Sequence, residues 1–173
     1  MLIEDAKKLR ELAGQLMELG SFAIDTEFIR EKTYRPRLCL VQIAANEKAF
    51  VVDPLLVEDL TPLFELIFDP RVEKIVHAGE QDMEIFFALA RKLPRNVVDT
   101  QVAAALTGYG ESASYARLVE QILGVKLKKI ETFTDWSKRP LSAEQVEYAL
   151  DDVRYLHPLI VALKESICRL GRK

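Results

Sequence analysis

The chain has 173 residues, 49% of them apolar, and a net charge of −3, so it is long enough for one compact domain and too short for two full ones. It has no run of about 18 apolar residues and its acidic, Lys-rich beginning does not resemble a secretory signal, which excludes a membrane-spanning protein and favours a cytoplasmic one. The negative charge argues mildly against nucleic-acid binding. Basic residues nevertheless gather in two stretches, one with Arg30, Lys32, Arg35 and Arg37, the other with Lys126, Lys128, Lys129, Lys138 and Arg139.

The few cysteines and histidines limit the kinds of metal site that the chain can build. Cys39 and Cys168 have no metal or redox spacing, and we expect both to be reduced packing residues. His77 and His157 are too few and too far apart for a His-based zinc site. Any metal would therefore be bound by oxygen and would be hard, like Mg²⁺ or Mn²⁺.

The first third of the chain predicts a helix followed by three strands. Leucines recur at helical spacing between Ile3 and Leu19, and Gly20 supplies a stop, so an amphipathic helix is expected there. Strand-like runs follow at 22–28, 38–45 and 49–52. The polar turn 46–48 joins the last two runs, which predicts an antiparallel hairpin.

The rest of the chain alternates between helices and short strands. We expect helices at 58–68 and 80–92, strands at 74–77 and 97–98, a helix capped by Asp99 or Thr100 that runs to Leu106, and helices at 114–123 and 143–170. Three early strands with a hairpin, followed by this alternation, indicate an α/β fold with a mixed five-stranded sheet flanked by helices. That is the ribonuclease H-like plan.

Two acidic residues stand where the first strand-like run ends. Side chains at i and i+2 of a strand share a face, so Asp25 and Glu27 can converge on one metal site. Without a cation, two carboxylates near a core would cost several kcal/mol in desolvation and repulsion. The alternative is that Glu27 already lies in a solvated loop and that Asp25 caps the strand end.

A third carboxylate lies on the apolar side of a predicted helix. Ile85, Phe86, Leu89 and Leu93 form one stripe at 100° per residue, and Asp82 falls near its centre. Asp82 is also in the first helical turn, where the dipole tolerates negative charge. The alternative is a local cap whose carboxylate accepts from neighbouring N–H groups.

The last helix offers two adjacent acids, which the helical wheel separates. Asp152 lies at the edge of the apolar stripe with Tyr148 one turn earlier, whereas Asp151 points into solvent. A boundary tyrosine beside a surface acid would be the alternative. The stripe contains Val146, Ala149, Leu150, Val153, Leu156, Ile160 and Leu163.

Three segments, taken in order, resemble the exonuclease motifs of the DEDD superfamily and are most similar to those of the ribonuclease D family. They are Asp25-Thr26-Glu27-Phe28, His77-Ala78-Gly79-Glu80-Gln81-Asp82 and Tyr148-Ala149-Leu150-Asp151-Asp152-Val153-Arg154-Tyr155-Leu156. Tyr148, four residues before Asp152, indicates the tyrosine subclass (DEDDy). Further likeness lies in Thr33-Tyr34, Leu40-Val41-Gln42, Val98-Asp99-Thr100-Gln101 and Asp135-Trp136-Ser137-Lys138-Arg139-Pro140-Leu141-Ser142. Ribonuclease D proteins usually add helical nucleic-acid-binding domains, so we expect residues 1–173 to be a single exonuclease domain without them.

The resemblance implies a metal-dependent 3′→5′ exoribonuclease that releases nucleoside 5′-monophosphates from RNA 3′ ends with two divalent ions, Mg²⁺ or Mn²⁺. By resemblance, Asp25 bridges both ions, Glu27 and Asp152 complete the first site, Asp82 holds the second, and Tyr148 orients the attacking water. Alternatives are a 3′–5′ exonuclease acting on DNA or on very short oligonucleotides, and a non-catalytic nucleic-acid-binding module.

The same resemblance suggests contacts to the substrate. The backbone of Thr26 and the ring of Phe28 are candidates for the terminal nucleotides, and His77 and Gln81 flank the second motif. A core role for Phe28 and a structural role for His77 are the alternatives. In addition, Lys138 and Arg139 are candidates for phosphate contacts. Phe87, which points away from its helix's stripe, hints at an oligomer contact such as a homodimer, or at cover by another segment of the chain.

Overall fold

The computed structural model describes residues 1–29, 36–128 and 135–171. The strands are β1 (Leu2–Ile3), β2 (Ser21–Ile29), β3 (Arg37–Ala45), β4 (Lys48–Val52), β5 (Glu73–Val76) and β6 (Val97–Asp99). The helices are α1 (Ala6–Leu19), α2 (Thr61–Phe68), α3 (Glu80–Ala90), α4 (Thr100–Leu106), α5 (Tyr115–Leu118, continued by a π-helical turn, Val119–Leu123), α6 (Ala143–Arg154) and α7 (Leu156–Arg169). Thr33-Tyr34 and the basic residues Arg30, Lys32, Arg35 and Lys129 lie outside the described residues.

The sheet is mixed, as predicted, but it has six strands instead of five. Its order is β1-β4-β3-β2-β5-β6, with β3 antiparallel to both β2 and β4 and the other pairs parallel. The additional strand is β1, in which Leu2 and Ile3 pair with Val51 and Val52. The sequence placed Ile3 in the first helix because a two-residue strand is too short to show alternation.

The predicted hairpin is confirmed, and its turn is one residue shorter than expected. Asn46 and Glu47 have φ values of 47° and 62°, and Lys48 already belongs to β4. Positive φ at both central residues is typical of the type I′ turn, whose twist matches that of the flanking strands.

The prediction of a single long helix at 143–170 is wrong. The backbone of Tyr155 (φ −105°, ψ 1°) interrupts it between α6 and α7. Pro158 explains part of the break, since it lacks the N–H that would bond the carbonyl of Arg154. The Tyr115 hydroxyl accepts from the Tyr155 N–H (3.1 Å) and donates to the Asp151 carbonyl (3.0 Å), which satisfies the exposed backbone groups. Sequence periodicity missed the break because the apolar stripe continues across it.

Helices cover both faces of the sheet, and strand alternation decides which of these faces the acidic side chains of β2 share. Phe22 and Ile24 pack on the face that contacts α1 and α2, and Ala23 packs on the opposite face with α4 and α7. Alternation then places Asp25 and Glu27 on the face with Ala23, where α6 also lies.

Two other expectations about burial need correction. Leu89 and Leu93 are 47% and 53% exposed, because α3 ends at Ala90 and its last turn extends beyond the core. Both cysteines are free, but Cys168 is exposed and so only Cys39 is a packing residue. Phe87 is exposed, as predicted. Within the described ranges, no helix is long and apolar enough to cross a membrane.

A buried ion pair fastens the segment before α6 to the sheet. Asp53, which is fully buried, accepts from Arg139 through Nε (2.5 Å) and Nη2 (2.8 Å). The same guanidinium donates to the carbonyls of Cys39 (3.0 Å) and Trp136 (2.8 Å). The structure therefore assigns Arg139 to the fold and not to phosphate contacts, whereas Lys138 is exposed and lies 3.6 Å from Asp135.

We expect Arg139→Met to lower the free energy of unfolding by about 3–5 kcal/mol, because it leaves the buried Asp53 carboxylate without its partner. Urea denaturation measures the change. The matched control is Lys138→Met on the same segment, whose exposed ion pair should contribute little. Equal, small effects of the two substitutions would contradict the anchoring role of Arg139.

Candidate active site

The carboxylates of β2 are electrostatically coupled to acids from two helices. Burial raises the pKa of Asp25 well above its usual value, and the charges of Asp82, Asp152 and Glu27 raise it further. Burial, Asp152 and Asp82 raise the pKa of Glu27 to about 8. The register of β2 against β3 shifts between Glu27 and Phe28, and such bulges re-aim side chains at the end of a ladder. The fold thus brings all four predicted acids into mutual range.

Asp82 reaches this cluster from the start of α3. It is 7% exposed, as the helical wheel predicted, and its carboxylate accepts a hydrogen bond from the hydroxyl of Thr26. Burial raises the pKa of Asp82 to about 6, against the effect of the Thr26 hydrogen bonds. Thr26 is therefore the support of an acidic side chain, a role that the sequence did not indicate.

The turn that leads into α3 is fixed by a glycine and by a neighbouring acid. A Cβ at Gly79 would lie 2.7 Å from Cγ2 of Val76, so only glycine allows this close approach of helix and strand. Asp99 accepts from the backbone N–H groups of Ala78 (3.1 Å) and Gly79 (3.0 Å) and also caps α4 through Gln101. These contacts hold the first turn of α3, and Asp82 with it, at the end of β5.

Asp152 and Tyr148 act as a pair one helical turn apart on α6. Burial and the charge of Asp151 raise the pKa of Asp152 to about 7, while a hydrogen bond with Tyr148 opposes the rise. Burial and the nearby carboxylates Asp152, Glu27 and Asp25 raise the pKa of Tyr148, which keeps its hydroxyl neutral. The Tyr148 ring stacks on Trp136 with a centroid distance of 6.1 Å.

The environment of Asp151 differs from that of Asp152, and Asp151 is less exposed than predicted. It is partly buried and forms an ion pair with Arg154, which also contacts Glu147 at 2.9 Å. The helical wheel separated the two acids correctly, since Asp152 faces the other carboxylates. It missed Arg154, because a side chain that folds back along the helix removes Asp151 from solvent.

Of the predicted substrate contacts, His77 is tied into the fold. Its Nδ1 lies 2.9 Å from the Thr100 hydroxyl, and this hydroxyl also lies within hydrogen-bond distance of the Val76 carbonyl (3.0 Å). Burial lowers the pKa of His77, and its ring packs on Tyr115. Gln81 is exposed in the first turn of α3, and Phe28 is partly buried against the core.

The negative charge and the carboxylate oxygens of the cluster are suited to a cation. Its side chains, however, do not converge on one point as the ligands of a bound ion would. In residues 1–29, 36–128 and 135–171, no group of three or more His, Cys, Asp and Glu side chains is arranged to hold a metal ion. The raised pKa values of Asp25, Glu27 and Asp152 nevertheless show acids whose ionised forms lack a positive partner. Carboxylate oxygens favour hard divalent cations.

Comparison with known proteins places this arrangement in a family. A model of the 3′-5′ exonuclease family matches residues 1–167. Ribonuclease D of Sphingobium indicum is 43% identical over 173 residues, which cover 99% of this chain and 45% of the relative. The chain thus spans less than half the length of that curated relative.

Solved structures show the same fold. Escherichia coli RNase D, described as an exoribonuclease involved in structured RNA processing, superposes with a TM-score of 0.92 at 38% identity over 99% of this chain and 46% of that one. Brucella melitensis NrnC bound to pGG gives 0.83 at 30% identity over 99% of this chain and 82% of that one. NrnC has also been solved with bound Mg²⁺. The ribonuclease H-like plan and the likeness to ribonuclease D are confirmed, and the chain belongs to the 3′-5′ exonuclease family.

Proposed function

We propose that this protein is a metal-dependent 3′→5′ exoribonuclease. The observation that carries the proposal is the convergence of four buried carboxyl groups from β2, α3 and α6. Burial raises the pKa of each of them, and the charges of Asp82 and Asp152 raise the pKa values of Asp25 and Glu27 further. Such a cluster costs stability unless cations neutralise it. Ribonuclease D relatives and the family match support this chemistry.

Four residues would hold two divalent ions, Mg²⁺ or Mn²⁺: Asp25, Glu27, Asp82 and Asp152. Two such ions would stabilise the attacking and the leaving oxygens of an in-line displacement at phosphorus. Asp25 would be the central ligand of this set, because the charges of the three other carboxylates all raise its pKa. NrnC, solved with Mg²⁺, favours magnesium.

Tyr148 orients the attacking water in this proposal. Burial and the nearby carboxylates raise its pKa, and its neutral hydroxyl can donate to Asp152 and accept from a water, which suits it to positioning. The stacked Trp136 ring limits the positions that the tyrosine ring can adopt. Fixing this hydroxyl helps to place the water in line with the scissile bond.

The substrate would be the 3′ end of single-stranded RNA. Thr26 and Phe28 adjoin Asp25 and Glu27 along β2, so the backbone of Thr26 and the ring of Phe28 remain candidate contacts for the terminal nucleotide. Gln81 is exposed at the start of α3 and remains a candidate contact, whereas the bonded His77 would act mainly as a support. A second candidate function, cleavage of very short oligonucleotides, is favoured by the likeness to NrnC bound to pGG. The two free thiols suit a reducing compartment such as the cytoplasm.

Incubation with 5′-labelled RNA and DNA, each short and long, tests the function. We expect stepwise release of mononucleotides from the 3′ end with Mg²⁺ or Mn²⁺ and none with EDTA. A clear preference for the shortest RNA would favour the second candidate function. Cleavage in EDTA, or internal cuts, would contradict the proposal.

Asp152→Asn should lower turnover by on the order of 10²–10³-fold or more, because it removes a charge that the reaction depends on. Its matched control is the neighbouring Asp151→Asn, which loses the ion pair with Arg154 but no proposed ligand and should stay within a few-fold of the parent. Single-turnover rates on labelled RNA measure both. The assignment of Asp152 fails if the two variants behave the other way round.

Metal-free protein should lose stability as the pH rises from about 4 to 8. The folded protein holds protons on Asp82, Asp152 and Glu27 up to pKa values of about 6, 7 and 8, whereas the unfolded chain releases them near pH 4. The free energy of unfolding therefore falls by about 1.4 kcal/mol per pH unit for each proton concerned. Excess Mg²⁺ should remove this fall.

Urea denaturation in EDTA at several pH values measures the slope. Glu27→Gln isolates one carboxyl group, so between pH 6 and 8 its slope should be less negative than that of the parent chain. Parallel slopes would show that Glu27 is ionised throughout this range and would contradict the raised pKa.

A further inference from the structure

Gln42 is a buried polar side chain that the fold does not explain. It lies in the middle of β3 and is 0% exposed. Within the part of the chain that the structure describes, neither its Nε2 nor its Oε1 has a hydrogen-bond partner. An unsatisfied buried amide costs about 1–3 kcal/mol, so an apolar residue would stabilise the core better at this position.

The strand register places this amide beside the acidic cluster. Gln42 pairs with Asp25 on β2 and with Val51 on β4. Directly opposed residues of antiparallel strands point to the same face of a sheet, with Cβ atoms about 4.5–5.5 Å apart. The Gln42 side chain therefore projects on the same face as Asp25, towards α6.

The other neighbours on that face are apolar. Leu40 and Ala44 flank Gln42 along β3, Val51 is opposite on β4, and Ala149 of α6 packs over Leu40 and Val51. Among these positions, Asp25 alone offers the amide a polar partner.

We propose that Gln42 is a positioning residue for the divalent-cation site, whose amide donates a hydrogen bond to the Asp25 carboxylate and fixes its orientation when the cation binds. This inference rests on the proposed function. A hydrogen bond to a carboxylate that binds a metal restricts the rotation of the carboxylate and lowers the entropy that it loses on binding. Loss of such a partner typically weakens metal binding about 10- to 100-fold.

The test compares Gln42→Met, which keeps the volume and removes the amide, with the parent chain. Mn²⁺ alone is the probe, and its binding is measured by electron paramagnetic resonance and calorimetry, with thermal unfolding in EDTA as a second readout. We expect Gln42→Met to be at least as stable as the parent without metal and to bind Mn²⁺ about 10- to 100-fold more weakly. Steady-state kinetics at saturating Mn²⁺ should show a lower kcat with little change in KM for RNA.

Gln101→Met on α4 is the matched control. It is the same chemical change at a partly buried glutamine whose amide donates to the Ala113 carbonyl (3.3 Å). Its Mn²⁺ affinity should equal that of the parent. In an Asp25→Asn background, Gln42→Met should weaken Mn²⁺ binding no further, because the carboxylate that the amide serves is gone.

The outcomes separate this inference from the proposed function. Parental Mn²⁺ affinity and kcat in Gln42→Met would overturn the positioning role and leave the exonuclease proposal intact. A parent chain that binds no Mn²⁺ would overturn both. If neither Gln42→Met nor Gln42→Leu folds, the amide stabilises the metal-free protein itself, and the positioning role is overturned as well.

Discussion

Mutual repulsion among four buried carboxyl groups is the constraint on which the rest of this structure depends. Asp25 and Glu27 come from β2, Asp82 from α3 and Asp152 from α6, and the charges of Asp82 and Asp152 raise the pKa values of both β2 acids. The fold must hold these groups together at a cost in stability. The surrounding contacts hold the carboxyl groups together, and a bound cation would recover the stability that their repulsion costs.

Asp82 and the pair of Asp152 and Tyr148 are held by contacts from elsewhere in the chain. The Thr26 hydroxyl holds Asp82, and the sharp approach at Gly79 places the start of α3 beside β2. On the other side, Trp136 stacks on Tyr148. Trp136 is itself held through Arg139, whose guanidinium joins its carbonyl to the buried Asp53. The ion pair far from the acids is therefore linked to the position of the tyrosine.

Among the described residues around the cluster, Thr100 and His77 have hydrogen-bond partners for their side chains, whereas Gln42 has none. Thr100 and His77 satisfy each other and the end of β5, so they stabilise the metal-free fold. The side chain of Gln42 makes no hydrogen bond within the described residues, although it stands opposite Asp25. A residue that is costly in the resting protein and well placed for the loaded one is typical of functional sites, where stability is traded for function.

Local sequence determined the hairpin, the strand that carries Asp25 and Glu27, and the burial of Asp82, because alternation and helical periodicity depend only on which residues are apolar. Periodicity also separated Asp152 from Asp151. Periodicity did not show β1, the break at Tyr155 or the exposure of Leu89. These features depend on the folded chain: on the pairing of two residues with β4, on the Tyr115 hydroxyl that accepts from the Tyr155 N–H, and on where the core ends. Only the tertiary structure decided that Thr26 supports Asp82, that Arg139 is buried against Asp53 and that Gln42 faces Asp25. These contacts join residues 17 to 86 positions apart, and no spacing in a single sequence encodes them.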